Sequence, residues 1–191
     1  MGRDRKFSTI DLFIATKKQI LQVGYDGFTI SHLAETLEVS RAAIYKQYIN
    51  KDELLIDFML YEMDKSVGDL KQVRREGTFE QQLEDLLNRM AHFNELHQIL
   101  GMVSLIQDVS EEIIRKKAKL SSMHKDLYEP LLRIVTNGKR EKNIDPSIPD
   151  SLVLGFIFQT IDIPKQPNLS TEEQLQYIKQ LILHGVCGEN K

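Results

Sequence analysis

The sequence predicts an all-α fold of about nine helices, in which a small N-terminal three-helix unit containing a helix-turn-helix precedes a larger helical body. Three observations predict it. Apolar residues recur every three or four positions along nearly the whole chain, the period of an amphipathic helix. No alternating Val/Ile/Thr-rich segment bounded by turn residues is present, so no sheet is expected. All five prolines lie at or after Pro130, so the first two thirds of the chain lack the strongest helix breaker.

Helix one is expected from about Ser8 to Val23, with Ile10, Phe13, Ile14, Ile20 and Leu21 on its buried side. Gly24 and Gly27 flank its exit, and Phe28 packs into the N-terminal core. Ile30, Leu33, Ala34 and Leu37 then fall at helical spacing, and Val39 sits in a tight turn. Ser40 caps the next short helix by accepting from the backbone N–H of Ala42 or Ala43. That helix buries Ala43 and Ile44 and exposes Arg41, Ala42, Tyr45, Lys46 and Gln47. Asn50 caps a fourth helix, with Asp52 and Glu53 in the first turn where the helix dipole favours anions. It carries Leu54, Leu55, Phe58, Met59 and Tyr61 and reaches about Val73.

Arg74-Arg-Glu-Gly77 is a break, after which Thr78 and Gln81 have the spacing of a capping box. This fifth helix is expected to continue through Leu83, Leu86, Leu87, Met90 and Phe93 to about Ile99. After Gly101 a helix is expected over roughly Met102 to Val109, and Ser110 caps a short segment into the Arg115–Lys119 run, which reads as a solvated face. A long helix from about Ser121 to Lys142 follows, with Pro130 near its start or at a kink. Asn143 to Pro149 is a loop, and Pro149 opens a helix to about Asp162. Residues 164–168 form a linker, and Ser170 or Thr171 caps a last helix that runs to about Val186. The expected domains are 1–51 for the helix-turn-helix, 52–73 for a connecting helix and 74–191 for the body.

The 191 residues, 41% hydrophobic and 28% charged, suit one or two compact domains of ordinary soluble composition. The longest apolar run, Leu152 to Phe158, is interrupted by Gly155 and is far short of the ~18 residues of a membrane span. The N-terminus carries charges in place of an apolar signal core, and nothing near Gly2 supports acylation, so a cytoplasmic location is expected. The single cysteine, Cys187, excludes an internal disulfide and a thiolate metal cluster, and reads as a small buried or half-buried thiol. The formal net charge is −3, but residues 1–51 carry +3 and the remainder −6. A basic head on an acidic body suits a protein that binds phosphates with one end only.

The pair of short helices gives that asymmetry a use. A small helix with a packed back and a polar, aromatic and cationic front can enter a DNA major groove. Residues Gly24 to Leu55 resemble the TetR-type family of bacterial one-component regulators. The resemblance lies in the lead-in Gly24-Tyr-Asp-Gly-Phe-Thr29, in Ile30-Ser-His-Leu-Ala34 and in the Val39-Ser40 turn. It continues through Ile44-Tyr-Lys-Gln-Tyr48 and Asn50-Lys-Asp-Glu-Leu-Leu55. It implies a homodimer offering two helix-turn-helix heads to a double-stranded operator, and a ligand cavity in the C-terminal helices that controls head separation. On the matching positions it implies a DNA-facing set of Thr29, Ser31, Arg41, Ala42, Ala43, Tyr45, Lys46, Gln47 and Lys51. Gln47 either makes an amide contact to adenine or points to solvent. Because Ala42 and Ala43 offer little hydrogen bonding, base reading falls chiefly to Arg41.

The helix over Ser151–Ile161 is apolar nearly all round and must be covered on more than one side. Together with Leu175, Ile178, Leu181, Ile182 and Val186 of the last helix, it suggests a four-helix interface between two subunits. Phe156, Ile157, Leu175, Ile178 and Ile182 are candidates for its core, and Gly155 permits close approach. The middle helices hold Met90, Phe93, Leu96, Met102, Leu105, Met123, Leu127 and Tyr128. These residues form either ordinary core or the wall of a cavity for a small, largely apolar effector. The effector-binding set is Phe93, Leu96, His97, Met102, Met123, Leu127, Tyr128, Phe156 and Gln159, with His124 a further polar group. Binding there is expected to swing the fourth helix and change the separation of the heads.

No metal or other cofactor is expected. His92 and His97 are five apart, off the spacing that places two ligands on one helix face. Neither a Gly-rich phosphate loop nor a nucleophile elbow occurs. The sequence therefore points to a ligand-responsive transcriptional regulator, a repressor released from a palindromic operator by its effector, and not to an enzyme. The alternatives are an effector-independent DNA-binding factor and, behind it, an all-helical enzyme.

Overall fold

The computed structural model describes residues 7–185, apart from the side chains of His124, Glu129 and Pro130. Gly2, Arg3, Arg5 and Lys6, and Val186 and Cys187 at the other end, lie outside the described residues, as does the His124 side chain. The described residues form nine α-helices and no strand, as the periodicity predicts. They are α1 (Thr9–Gly27), α2 (Ile30–Thr36), α3 (Arg41–Tyr45), α4 (Lys51–Leu70), α5 (Phe79–Met90), α6 (Asn94–Gly101), α7 (Glu111–Arg140), α8 (Asp150–Gln159) and α9 (Thr171–His184). None is long and apolar enough to cross a membrane. The chain divides into two compact units, one comprising residues up to Asp64 with Gln98–Ser122, the other Lys65–His97 with the residues from Met123 onward.

In the first unit, Ser8 opens α1 with a reciprocal capping box to Asp11. Leu12, Phe13, Ala15, Thr16, Gln19 and Ile20 are buried, and the Phe13 ring lies 5.8 Å from that of Phe58 and 5.1 Å from that of Tyr61. Ile10 and Ile14, expected inside, are exposed, Ile14 by 64%. They stand two residues either side of Leu12, about 200° around the helix from the buried stripe. Helix α1 outlasts its expected end because Gly24 kinks the chain at φ +65, ψ −176 and lets a last turn form before Phe28. A side chain at that φ/ψ is strained, so glycine is required.

The turn between α2 and α3 closes as a Schellman motif. The Val39 N–H donates to Ala34 O and the Glu38 N–H to Glu35 O, with Glu38 in the left-handed region at φ 56. Two expectations for Gln98–Ser122 are corrected. Met102–Val109 is not a helix. A 3-10 turn ends at Leu105, then Ile106 turns its buried side chain inward from extended backbone while the Ser110 hydroxyl is committed to capping α7 through the Ile113 N–H. Nor is the Arg115–Lys119 run wholly a solvated face. The Lys116 ammonium, 17% exposed at its side chain, lies 2.6 Å from Asp57 of α4, and Lys117 lies 2.6 Å from Asp108.

Helix α7 replaces two expected elements. It runs for 30 residues without a break, since neither Gly nor Pro occurs between Glu111 and Glu129, and Pro130 removes only one backbone donor. It ends in a second Schellman motif with Lys142 at φ 63.

In the second unit, Thr78 and Gln81 form the capping box expected of them. Helix α5 then stops at Met90 and does not reach Ile99. Continuing the register of Leu83, Leu86, Leu87 and Met90 would carry Asn94 and His97 inward. The break keeps Phe93 inward and brings Leu96 inward in place of His97, and the Asn94 amide donates to Ile161 O. Ser170 caps α9 in a box with Glu173, and Lys179 ties α9 to Glu80 and Glu84 of α5 at 3.2 and 2.8 Å. Of the five residues expected at the heart of a subunit interface, Ile157 and Ile178 are buried within the chain. Leu175 and Ile182 are half-buried. Packing against α5 draws one face of α9 inward, so the outward apolar side chains are Leu152 and Phe156 on α8 and Tyr177 and Leu181 on α9.

Candidate nucleic-acid interface

The reading helix is short, and its orientation depends on its two ends and its back. At the start, the Ser40 hydroxyl accepts from the Ala43 N–H at 3.2 Å. At the back, Ile44 is fully buried and Ala43 half-buried. At the end, Tyr48 is buried and its N–H donates to Ile44 O. Arg41, Ala42, Tyr45, Lys46 and Gln47 are left facing outward, with Tyr45 half exposed. Thr29 is the N-cap of α2, accepting from the His32 N–H at 3.2 Å, and Ser31 beside it is exposed. The Gln19 amide of α1 donates to Thr29 O at 3.4 Å and so ties this cap to the first helix.

Lys51 begins α4. Asn50 Oδ1 accepts from the Glu53 N–H at 2.8 Å, and Glu53 accepts from the Ile49 N–H at 2.9 Å, so the helix start is doubly capped. The Lys51 ammonium donates to Tyr25 O at 3.0 Å and stands 4.1 Å from the centre of the Tyr25 ring. The Tyr25 hydroxyl donates to Asp52 at 2.7 Å. Burial, then the hydrogen bond to Asp52 and the charges of Asp52 and Asp26, push the Tyr25 phenol up to about 12, so it remains a donor. Tyr48 is likewise pushed up to about 12 by burial and by the charges of Asp57 and Glu53.

Sequence reasoning gave no role to Tyr25, Gln19 or Glu38. Tyr25 and Gln19 act through partners about ten or more residues away, which periodicity does not reveal. Glu38 left a signal in its place just after α2, where a left-handed cap is common. Ile49, 80% exposed between α3 and α4, also went unassigned.

The residues expected to line an effector cavity are distributed differently. Phe93, Leu96 and Leu127 are buried, and Met102 and Met123 half-buried. Tyr128, Phe156, Gln159 and His97 are exposed. His97 Nδ1 lies 2.7 Å from Asp162. The Tyr128 ring meets Phe158 edge-on at 5.1 Å, a partner the sequence analysis did not name. Met102 belongs to the first compact unit and the other eight residues to the second.

Residues 12–58, which hold this capped pair of helices, match the family model for bacterial regulatory proteins, tetR family. The resemblance of the head to the tetR family is thus borne out. Over its whole length the chain is similar to YdeS, an HTH-type transcriptional regulator of Bacillus subtilis (strain 168), at 24% identity over 195 residues, covering 98% of this chain and 92% of YdeS. Among solved structures, a tetR-family regulatory protein from Rhodococcus RHA1 superimposes with a TM-score of 0.78 at 15% identity, covering 97% of this chain and all of that one. AibR, solved in complex with isovaleryl coenzyme A and operator DNA, superimposes with a TM-score of 0.73 at 16% identity, covering 92% of this chain and 97% of AibR. At these identities the likeness establishes the fold.

Proposed function

We propose that this protein is a dimeric transcriptional repressor that holds a palindromic operator through its two heads and releases it on binding a small, largely apolar effector. The observation that carries this reading is α3, five residues long, capped by Ser40, backed by Ile44 and presenting Arg41, Tyr45, Lys46 and Gln47 outward. Arg41 reads a base edge, with guanine its best bidentate partner, while Tyr45 and Lys51 contact phosphates. Dimerisation uses the outward apolar faces of α8 and α9, where Leu152, Phe156, Tyr177 and Leu181 are exposed and a Cβ on Gly155 would meet nothing within 4 Å. Two heads about one DNA turn apart, roughly 34–36 Å, then match a two-fold operator. Such a regulator works in the cytoplasm.

Isovaleryl coenzyme A, an apolar acyl group on a large anionic carrier, is the first ligand to try, because AibR was solved with it and this chain shares its fold; its binding would replace the small apolar effector with a larger, charged one. The experiment begins with selection of duplexes by the protein from a random pool. Lys51→Ala should weaken binding on every duplex and lower the salt slope by about one unit. Arg41→Ala should relax preference at one position of each half-site, by ~1–3 kcal/mol of discrimination. Equal losses on all duplexes for Arg41→Ala remove its base-reading role. Isovaleryl coenzyme A is then titrated calorimetrically with and without the selected duplex, since coupling must be reciprocal. Equal affinity in both titrations removes this thioester as the switch.

A further inference from the structure

Lys51 is the cation at the start of α4, and it does not stand alone. Its ammonium sits on the face of the Tyr25 ring and donates to the Tyr25 carbonyl, while the Tyr25 hydroxyl donates to Asp52, the next residue of α4. One residue of α1 thus engages two consecutive residues of α4 at three points. We propose that Tyr25 is a positioning residue for DNA binding. It fixes the Lys51 ammonium over its ring and carbonyl, with the remaining ammonium hydrogens directed to a backbone phosphate of the operator. The inference rests on the reading of Lys51 as a phosphate contact.

The physics favours this arrangement. A free lysine loses side-chain rotamer entropy when it settles on a phosphate. A lysine already held in the folded head has lost part of that before DNA arrives, the general gain of preorganisation. The ammonium has three donors. The Tyr25 carbonyl takes one of them and the ring face attracts the charge without an N–H···O bond. The Tyr25–Asp52 bond sets the ring plane, and the kink at Gly24 is what turns Tyr25 out of the regular path of α1.

The test is a double-mutant cycle on the full chain, using a duplex that the parent protein selects from a random pool. Tyr25→Leu removes the ring and the hydroxyl but keeps the backbone carbonyl. It is expected to weaken binding about two- to fivefold in the parent and to leave affinity unchanged in a Lys51→Ala background. Tyr25→Phe, which keeps the ring, is expected to restore most of the coupling. A second measurement needs no variant: by NMR the Lys51 Hε protons should be shifted upfield by the Tyr25 ring relative to the other lysines. Equal losses from Tyr25→Leu in both backgrounds, or an unshifted Lys51, overturn the inference while leaving Lys51 a phosphate contact. If Lys51→Ala leaves the salt slope unchanged, the phosphate reading itself fails and takes the inference with it.

Discussion

Gly24→Ala isolates a single backbone torsion. Gly24 has φ +65 and ψ −176, a region essentially confined to glycine. A Cβ built there meets no heavy atom within 4 Å, so packing contributes nothing and the whole cost is torsional. Holding an L-residue in such a region costs about 1–3 kcal/mol. Alanine also stiffens the unfolded chain, which returns about 0.4–1 kcal/mol. The expected net loss is therefore about 1–2 kcal/mol. In urea, with a slope of roughly 1–3 kcal/mol/M, the midpoint should fall by about 0.3–2 M at unchanged slope. D-alanine, introduced by semisynthesis, prefers positive φ and should match or exceed glycine. An unchanged midpoint for L-alanine would refute the reasoning, as would D-alanine proving as destabilising as L-alanine. Either result would mean that the Gly24 torsion relaxes freely and does not define the path of the chain into Tyr25.

Two further outcomes follow. Lys142→Gly should stabilise the protein by about 0.5–1 kcal/mol, because a non-glycine residue at φ 63 costs more than the unfolded-state entropy that glycine adds; thermal unfolding without a rise in Tm would contradict this. Tyr25 and Tyr48 should ionise near pH 12 in an ultraviolet absorbance titration. Their folded pKa values lie above the ordinary 10.0, so the stability they contribute is intact below pH 10 and is lost as pH rises toward 12. Tyr48→Phe should remove one step near pH 12, and a titration with no ionisation above about pH 11 would deny both environments.

What could be read in the sequence was local. Ser40, Asn50, Thr78 with Gln81, and Ser170 each cap the helix expected of them, because a cap is a bond between residues two or three apart. The outward side chains of α3 followed from one buried residue, Ile44, and the helical period. What could not be read depended on distant partners. The break after Met90 is favoured by where Phe93 and Leu96 are buried and by the Asn94 bond to Ile161, 67 residues away. Lys116 looked solvated because Asp57, its counterion, lies on another helix. Ile10 and Ile14 misled for the opposite reason. They are apolar at helical spacing, yet the stripe that α1 buries includes the polar Thr16 and Gln19.

That polar stripe has a consequence for how the head is built. Helix α1 contributes none of the side chains assigned to DNA, but it holds the start of two of the three helices that do, α2 and α4. Gln19 holds the carbonyl of Thr29 at the N-cap of α2, and Tyr25 holds Lys51 and Asp52 at the start of α4. Buried Gln19 carries a cost, since its Oε1 has no hydrogen-bond partner. An apolar residue there would avoid that cost and lose the tie to Thr29. A head selected for stability alone would favour the apolar residue. One that must set the spacing between Thr29 and Lys51, both proposed to face DNA, has reason to keep the glutamine. Gln19→Leu separates these demands. It is expected to hold or raise Tm while weakening binding to every duplex, and a variant that gains stability without losing affinity would show that the α2 cap needs no tie to α1.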